Sequence, residues 1–148
     1  MASYDADKYN VAGGKTLDHI PARAGIGLVA VTSTLAVTTG LAAADTINLM
    51  LIPAGATILE VIAATDADLG STMTIDIGDA TDVDRFIDGG VFTTSTGNLV
   101  RAGNATAAPA GHGYTYTAET ALLATVVTAA AGTTDGTLKV TVIYNMQG

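Results

Sequence analysis

The sequence predicts an all-β chain: an antiparallel β-sandwich or jelly roll preceded by an extended N-terminal arm. Three observations carry this. From Gly27 onward, Thr, Val and Ile recur in short alternating runs. Gly, Pro and Asp punctuate those runs about every ten residues. No amphipathic helical period separates them, which argues against an α/β fold. Residues 26–148 therefore read as one sandwich domain and residues 1–25 as the arm.

Met1 to Gly25 shows neither helical nor strand periodicity. It holds Lys8, Lys15 and Arg23, three of the six basic residues, and Tyr4 and Tyr9, two of the five tyrosines. A segment of this kind is poorly ordered alone, and it either orders across a neighbouring subunit or is a frayed terminus. Gly27 to Gly40 predicts one or two strands. Thr46 to Ile52 alternates, with Ile47, Leu49 and Leu51 on one face and Asn48 and Met50 on the other. Pro53-Ala54-Gly55-Ala56 is a turn. In Thr57 to Thr65, Leu59, Val61 and Ala63 share one face and Ile58, Glu60 and Ile62 the other, so the strand is covered on both sides or lies at a subunit contact. Met73, Ile75 and Ile77 point inward from Thr72 to Gly78. Asp79 to Gly90 is the most polar stretch and closes on a Gly-Gly turn. Val91 to Gly113 is a long excursion with at most short strands. Tyr114 to Ala131 is strand rather than helix, because Val126, Val127 and repeated Thr prefer pleated geometry. Asp135-Gly136 is a hairpin signal, which pairs this strand with Gly136 to Met146. In the latter, Leu138, Val140 and Val142 face inward.

The composition narrows the function. Only 14% of residues are charged, against roughly 25% in ordinary soluble domains. Ala (27), Thr (24) and Gly (17) dominate instead. A surface this poor in charge points to faces covered by other protein, with a hydroxyl-coated monomer as the alternative. The net charge of −8 opposes direct binding to a phosphate backbone. No apolar run approaches the ~18 residues of a membrane span, and the polar, acidic N-terminus lacks the pattern of a signal peptide. Without cysteine, the chain has neither disulfides nor thiolate metal sites.

No catalytic constellation stands out. His19 lies in the arm and His112 in a Gly-rich loop, and no G-x-S-x-G elbow accompanies them. Asp66, Asp68, Asp76, Asp79, Asp82, Asp84 and Asp88 crowd within 23 positions. Oxygen-rich loops can hold a hard cation, but the spacing does not match an EF-hand, and Asp also serves as a turn residue. Arg85 among these carboxylates predicts an ion pair, either local or between subunits. The reading is of no enzyme, no cofactor and no metal.

Ile52 to Gly90 carries a resemblance. A Pro-Ala-Gly-Ala turn leads into the strand Ile58-Leu59-Glu60-Val61. A loop and a strand ending Ile77-Gly78-Asp79 follow, then Asp84-Arg85-Phe86-Ile87-Asp88. This stretch, about a quarter of the chain, resembles small structural proteins of tailed-phage virions, of the capsid decoration (cement) type. The resemblance implies a sandwich or jelly roll, often trimeric, on the outside of the capsid. The expected partners are then the major capsid protein and further copies of the chain, and the expected location is the virion. Tyr4, Tyr9, Arg23 and Arg85 are the expected contact residues. Tail and fibre proteins share this grammar. The alternative is therefore a receptor- or glycan-binding module that uses the Val91 to Gly113 loop, although the chain has no Trp to serve as a sugar platform.

Overall fold

The computed structural model describes residues 27–37, 40–67, 69, 72–92, 99–102, 111–131 and 135–146, and the backbone of 3–5. Its strands are β1 (Ser3–Asp5), β2 (Leu28–Val37), β3 (Thr46–Ile52), β4 (Ala56–Thr65), β5 (Thr74–Asp79), β6 (Asp82–Val91), β7 (Leu99–Arg101), β8 (Thr120–Thr128) and β9 (Gly136–Met146). No helix occurs among the described residues. One sheet has the order β1-β3-β8-β5-β6 and the other β2-β9-β4-β7. Every pairing is antiparallel except that of β1 with β3. From β2 to β9 the chain changes sheet at each connection but one, the β5–β6 hairpin. Eight strands so wound form a jelly roll.

Burial of apolar faces drives the packing. β2 and β9 pair over ten positions without interruption. Their alternation sends Val29 and Val37, and Leu138, Val140, Val142 and Tyr144, into the interior. Opposite them lie Ile47, Ile52, Ile75, Ile77, Leu122, Ala124 and Val126, all buried. Two sheets with apolar inner faces pack in this way about 10 Å apart.

Strict alternation fails in several strands, and in β3 and β4 a bulge is the cause. In β3 the register shifts between Asn48 and Met50. Leu49 and Met50 are consequently both buried and Leu51 is half-buried, which corrects the expected Leu51-inward face. The carbonyl of Leu49 accepts a 2.7 Å hydrogen bond from the buried Ser33 hydroxyl on the facing sheet. In β4 the shift falls between Ile58 and Glu60, so Ile58 and Val61 are both buried while Leu59 is half-buried. A bulge adds one residue to one strand and resets the phase of every side chain after it.

Two further expectations are corrected. Gly89-Gly90 does not close a turn: it lies within β6, where Gly89 takes φ 63°. The reversal falls earlier, at Ala80-Thr81. β8 and β9 form no hairpin either, since they belong to different sheets. An Asp-Gly turn joins neighbouring strands, whereas β8 and β9 lie in different layers. The start of β9 is held by Asp66, whose carboxylate accepts the Thr137 amide at 2.7 Å. From the arm, Ser3–Asp5 forms a strand parallel to β3, and the remaining arm residues, including Tyr9, His19 and Arg23, lie outside the described residues.

Candidate functional site

Among the described residues, the densest polar cluster stands at the tip of the β5–β6 hairpin. It forms because Gly78 allows the two strands to close on each other. A Cβ at Gly78 would meet the Asp82 carbonyl oxygen at 2.1 Å, so any larger residue would force the tip open. The turn delivers Asp79, 1% exposed, into the protein. Its Oδ1 accepts the Thr81 amide at 2.9 Å, the Asp82 amide at 3.1 Å and the Thr81 hydroxyl. Its Oδ2 accepts the Arg85 Nε–H at 2.7 Å and the Tyr116 hydroxyl at 2.9 Å.

Of the two pairings open to Arg85, the structure shows the local one. The guanidinium also lies 4.0 Å above the Tyr114 ring and 3.4 Å from the Asp82 carboxylate. Tyr114 and Tyr116 meet edge to face at 5.0 Å. These tyrosines come from a segment that hydrogen-bonds along β4: Ile58 donates to Tyr114 O at 2.9 Å and Tyr116 donates to Ala56 O at 3.0 Å. The segment therefore belongs to one sheet by its backbone and reaches the other through the Tyr116 hydroxyl. Gly111 permits the approach, because a Cβ there would fall 2.4 Å from the Phe86 ring.

Burial pushes the Asp79 carboxyl up, but the Arg85 guanidinium, the Thr81 groups and the Tyr116 hydroxyl outweigh it and hold the acid far below the usual range. Burial, then donation to Asp79, pushes the Tyr116 phenol far up. A carboxylate that stays ionised under so many donors has no proton to give and little basicity to offer near neutrality. The cluster is a structural clamp between the sheets.

Acid titration tests this. Asp79 has a folded pKa below its unfolded value of about 3.9, so its contribution is complete above that value and is lost as pH falls through the folded pKa. Burial raises the Asp76 carboxyl, aided by Asp88 and Asp84, and this outweighs the Gly89 amide. Protonating Asp76 thus acts the other way and offsets part of the loss. Urea midpoints should drop between pH 4 and pH 2, and Asp79→Asn should flatten that drop. An equally steep acid limb in the variant would count against the clamp.

The crowded aspartates do not share one place. Asp66 sits at the start of β9, Asp79 inside the hairpin tip, and Asp76 with Asp84 and Asp88 along β5–β6. Among the described residues no three such ligands assemble for a cation. Asp68 lies outside the described residues, and His112 is exposed. Most of the Val91 to Gly113 loop also lies outside them. Nothing in the sequence links Tyr116 to Asp79, 37 positions away. The only legible signal was the Asp79-Ala80-Thr81-Asp82 turn with Arg85 just beyond it.

The outer face of the β2-β9-β4-β7 sheet is poor in charge. Registered pairs set Ile143 between Ala30 and Glu60, Thr141 between Thr32 and Ile62, and Lys139 between Thr34 and Ala64. The Thr32 and Thr141 hydroxyls share a 2.8 Å hydrogen bond. Glu60 and Arg101 neutralise each other at 3.1 Å. Leu28 and Leu99, on opposite edge strands, are 68% and 57% exposed.

No family model and no curated protein matches the chain. Solved structures do. A chain of the cyanophage Pam1 capsid asymmetric unit is 26% identical with a TM-score of 0.66, over 82% of this chain and 86% of that one. A chain of the capsid of Ralstonia phage GP4 is 21% identical with a TM-score of 0.62, over 99% of both chains. The second likeness is one of fold; the first adds sequence identity over most of both chains. The chain is a β-sandwich that resembles a structural protein of phage virions.

Proposed function

We propose that this chain is a phage capsid decoration protein, a cement protein that binds the outside of the head as a homo-oligomer and stabilises it. The observation that carries the reading is the near end-to-end match, 99% of both chains, with a chain of a phage capsid. Two chains so matched are of nearly equal size, which suits one compact accessory domain. The 26% identity to a second phage capsid chain supports the same reading.

The surface agrees with it. A decoration protein acts by burying area at many equivalent sites, roughly 1,600 Å² per standard interface. The low-charge face around Ile62, Thr141 and Ile143 can be covered with little charge desolvation. In this reading the partners are the major capsid protein and other copies, three in a closed ring, and the location is the virion surface. The arm, residues 1–25, is the clamp, with Tyr4, Tyr9 and Arg23 as contacts. Arg85 supports it indirectly, by holding the hairpin tip in shape.

The test uses purified protein and heads that lack it. The full chain should co-sediment with heads in hundreds of copies. Deleting residues 1–25 should leave the thermal unfolding cooperative and weaken attachment at least tenfold, about 1.4 kcal/mol. Equal binding by the truncated chain would remove the arm from the clamp. A copy number of a few dozen or fewer on intact virions would move the protein to the tail.

A further inference from the structure

We propose that Ser3–Asp5 is an exchanged strand: in the homo-oligomer, β1 of one copy pairs with the β3 edge of a second copy. The inference rests on the self-association in the proposed function and names the segment and edge that would carry it.

The pairing itself is in the structure. Ser3, Tyr4 and Asp5 lie in parallel register with Thr46, Ile47 and Asn48. The bonds of such a ladder are backbone bonds, which a second copy's β3 offers identically. Contact energy therefore does not choose between a strand from the same chain and one from a neighbour. Tether and local concentration choose.

Three features favour the neighbour. First, β1 stands apart from the jelly roll, whose eight strands are complete from β2 to β9. Its departure disrupts no other pairing. Second, residues 6–27 separate it from β2. Fully extended, they reach roughly 70 Å, against a diameter of roughly 40 Å for a domain of this size. The edge of an adjoining copy is within range. Third, charge is divided unevenly. Lys8, Lys15 and Arg23 balance Asp5, Asp7 and Asp18 in the arm, so the net charge of −8 resides wholly in the rest of the chain. Two bodies repel, whereas a neutral arm carrying three cations meets an acidic neighbour without that penalty. A terminal strand laid on an outer edge also closes that edge against uncontrolled pairing. Passed from copy to copy in one direction, it ties a ring together.

The absence of native cysteine makes the test direct. Neighbouring strands lie about 4.8 Å apart, inside the span of a disulfide. Ser3→Cys and Thr46→Cys are introduced together, and the purified oligomer is oxidised mildly, denatured and run without reductant. Exchange predicts chains joined covalently up to the size of the oligomer. It also predicts a joined pair when Ser3→Cys protein is co-assembled with Thr46→Cys protein. A monomer two hydrogens lighter means that the strand stays in its own chain, and no bond at all means that it does not occupy the edge. Either result overturns the exchange. Sedimentation of the reduced protein separates the two levels. An oligomer with intrachain bonds leaves the decoration reading standing, whereas a monomer without affinity for heads removes both.

Discussion

Asp79→Ala should cost about 3–5 kcal/mol of folding stability, the range found when one member of a buried ion pair is removed. Much of that cost comes from what remains. Arg85, 11% exposed at its side chain, keeps its charge with Asp82 as its remaining ion-pair partner, and the Tyr116 hydroxyl loses its acceptor. The Thr81 and Asp82 amides that shape the turn lose theirs as well. Equilibrium urea unfolding followed by far-ultraviolet circular dichroism measures the change. The pair itself is not a large net source of stability, because two charges must leave water to form it. Adding Arg85→Met to Asp79→Ala should therefore recover part of the loss. A single-variant cost below 1 kcal/mol would show that water reaches the cluster and that it clamps nothing.

The second large effect is expected at Phe92. Its side chain is fully buried, just beyond the end of β6. Its backbone spans two neighbours: the amide donates to Met73 O and the carbonyl accepts from Leu69 N, each at 3.4 Å. Those hydrogen bonds survive truncation, so Phe92→Ala removes only the ring. Loss of buried area and the resulting cavity should cost about 3–5 kcal/mol. The denaturant midpoint should fall while the slope stays constant, since the unfolded surface hardly changes. A cost near 1 kcal/mol would mean that the residues around Met73 and Leu69 collapse into the space.

Stability and attachment are expected to separate in this protein. The two core changes act on the jelly roll, whereas the arm deletion leaves all eight of its strands in place. A variant that binds heads poorly but melts normally is therefore informative about the interface. One that does both poorly reports only on the fold.

Local chemistry was legible wherever the alternation of apolar and polar residues survives in the fold. Met73, Ile75 and Ile77, and Leu138, Val140 and Val142, alternate with polar neighbours, and all six are buried as their spacing requires. Burial of one face of a pleated strand depends on a period of two, and that period is written in the residues. The β preference of Thr120 to Thr128 over an Ala- and Leu-rich helix was legible for a similar reason, since β-branched side chains resist the helical turn. So were the absence of thiol chemistry and the shortage of surface charge.

Only the tertiary structure decided where that period breaks and which strands meet. One bulge falls at Ile58–Glu60, and another at Asn48–Met50, where the Ser33 hydroxyl of the opposite sheet bonds Leu49 O. No local pattern contains that partner. Asp135-Gly136 looks like a hairpin because turn chemistry is local, while the winding of a jelly roll places β8 and β9 in different layers. The meeting of Asp79 with Tyr116 is of the same kind: each residue's own segment specifies a turn or an extended run, and the distance between them is set by the packing of two sheets.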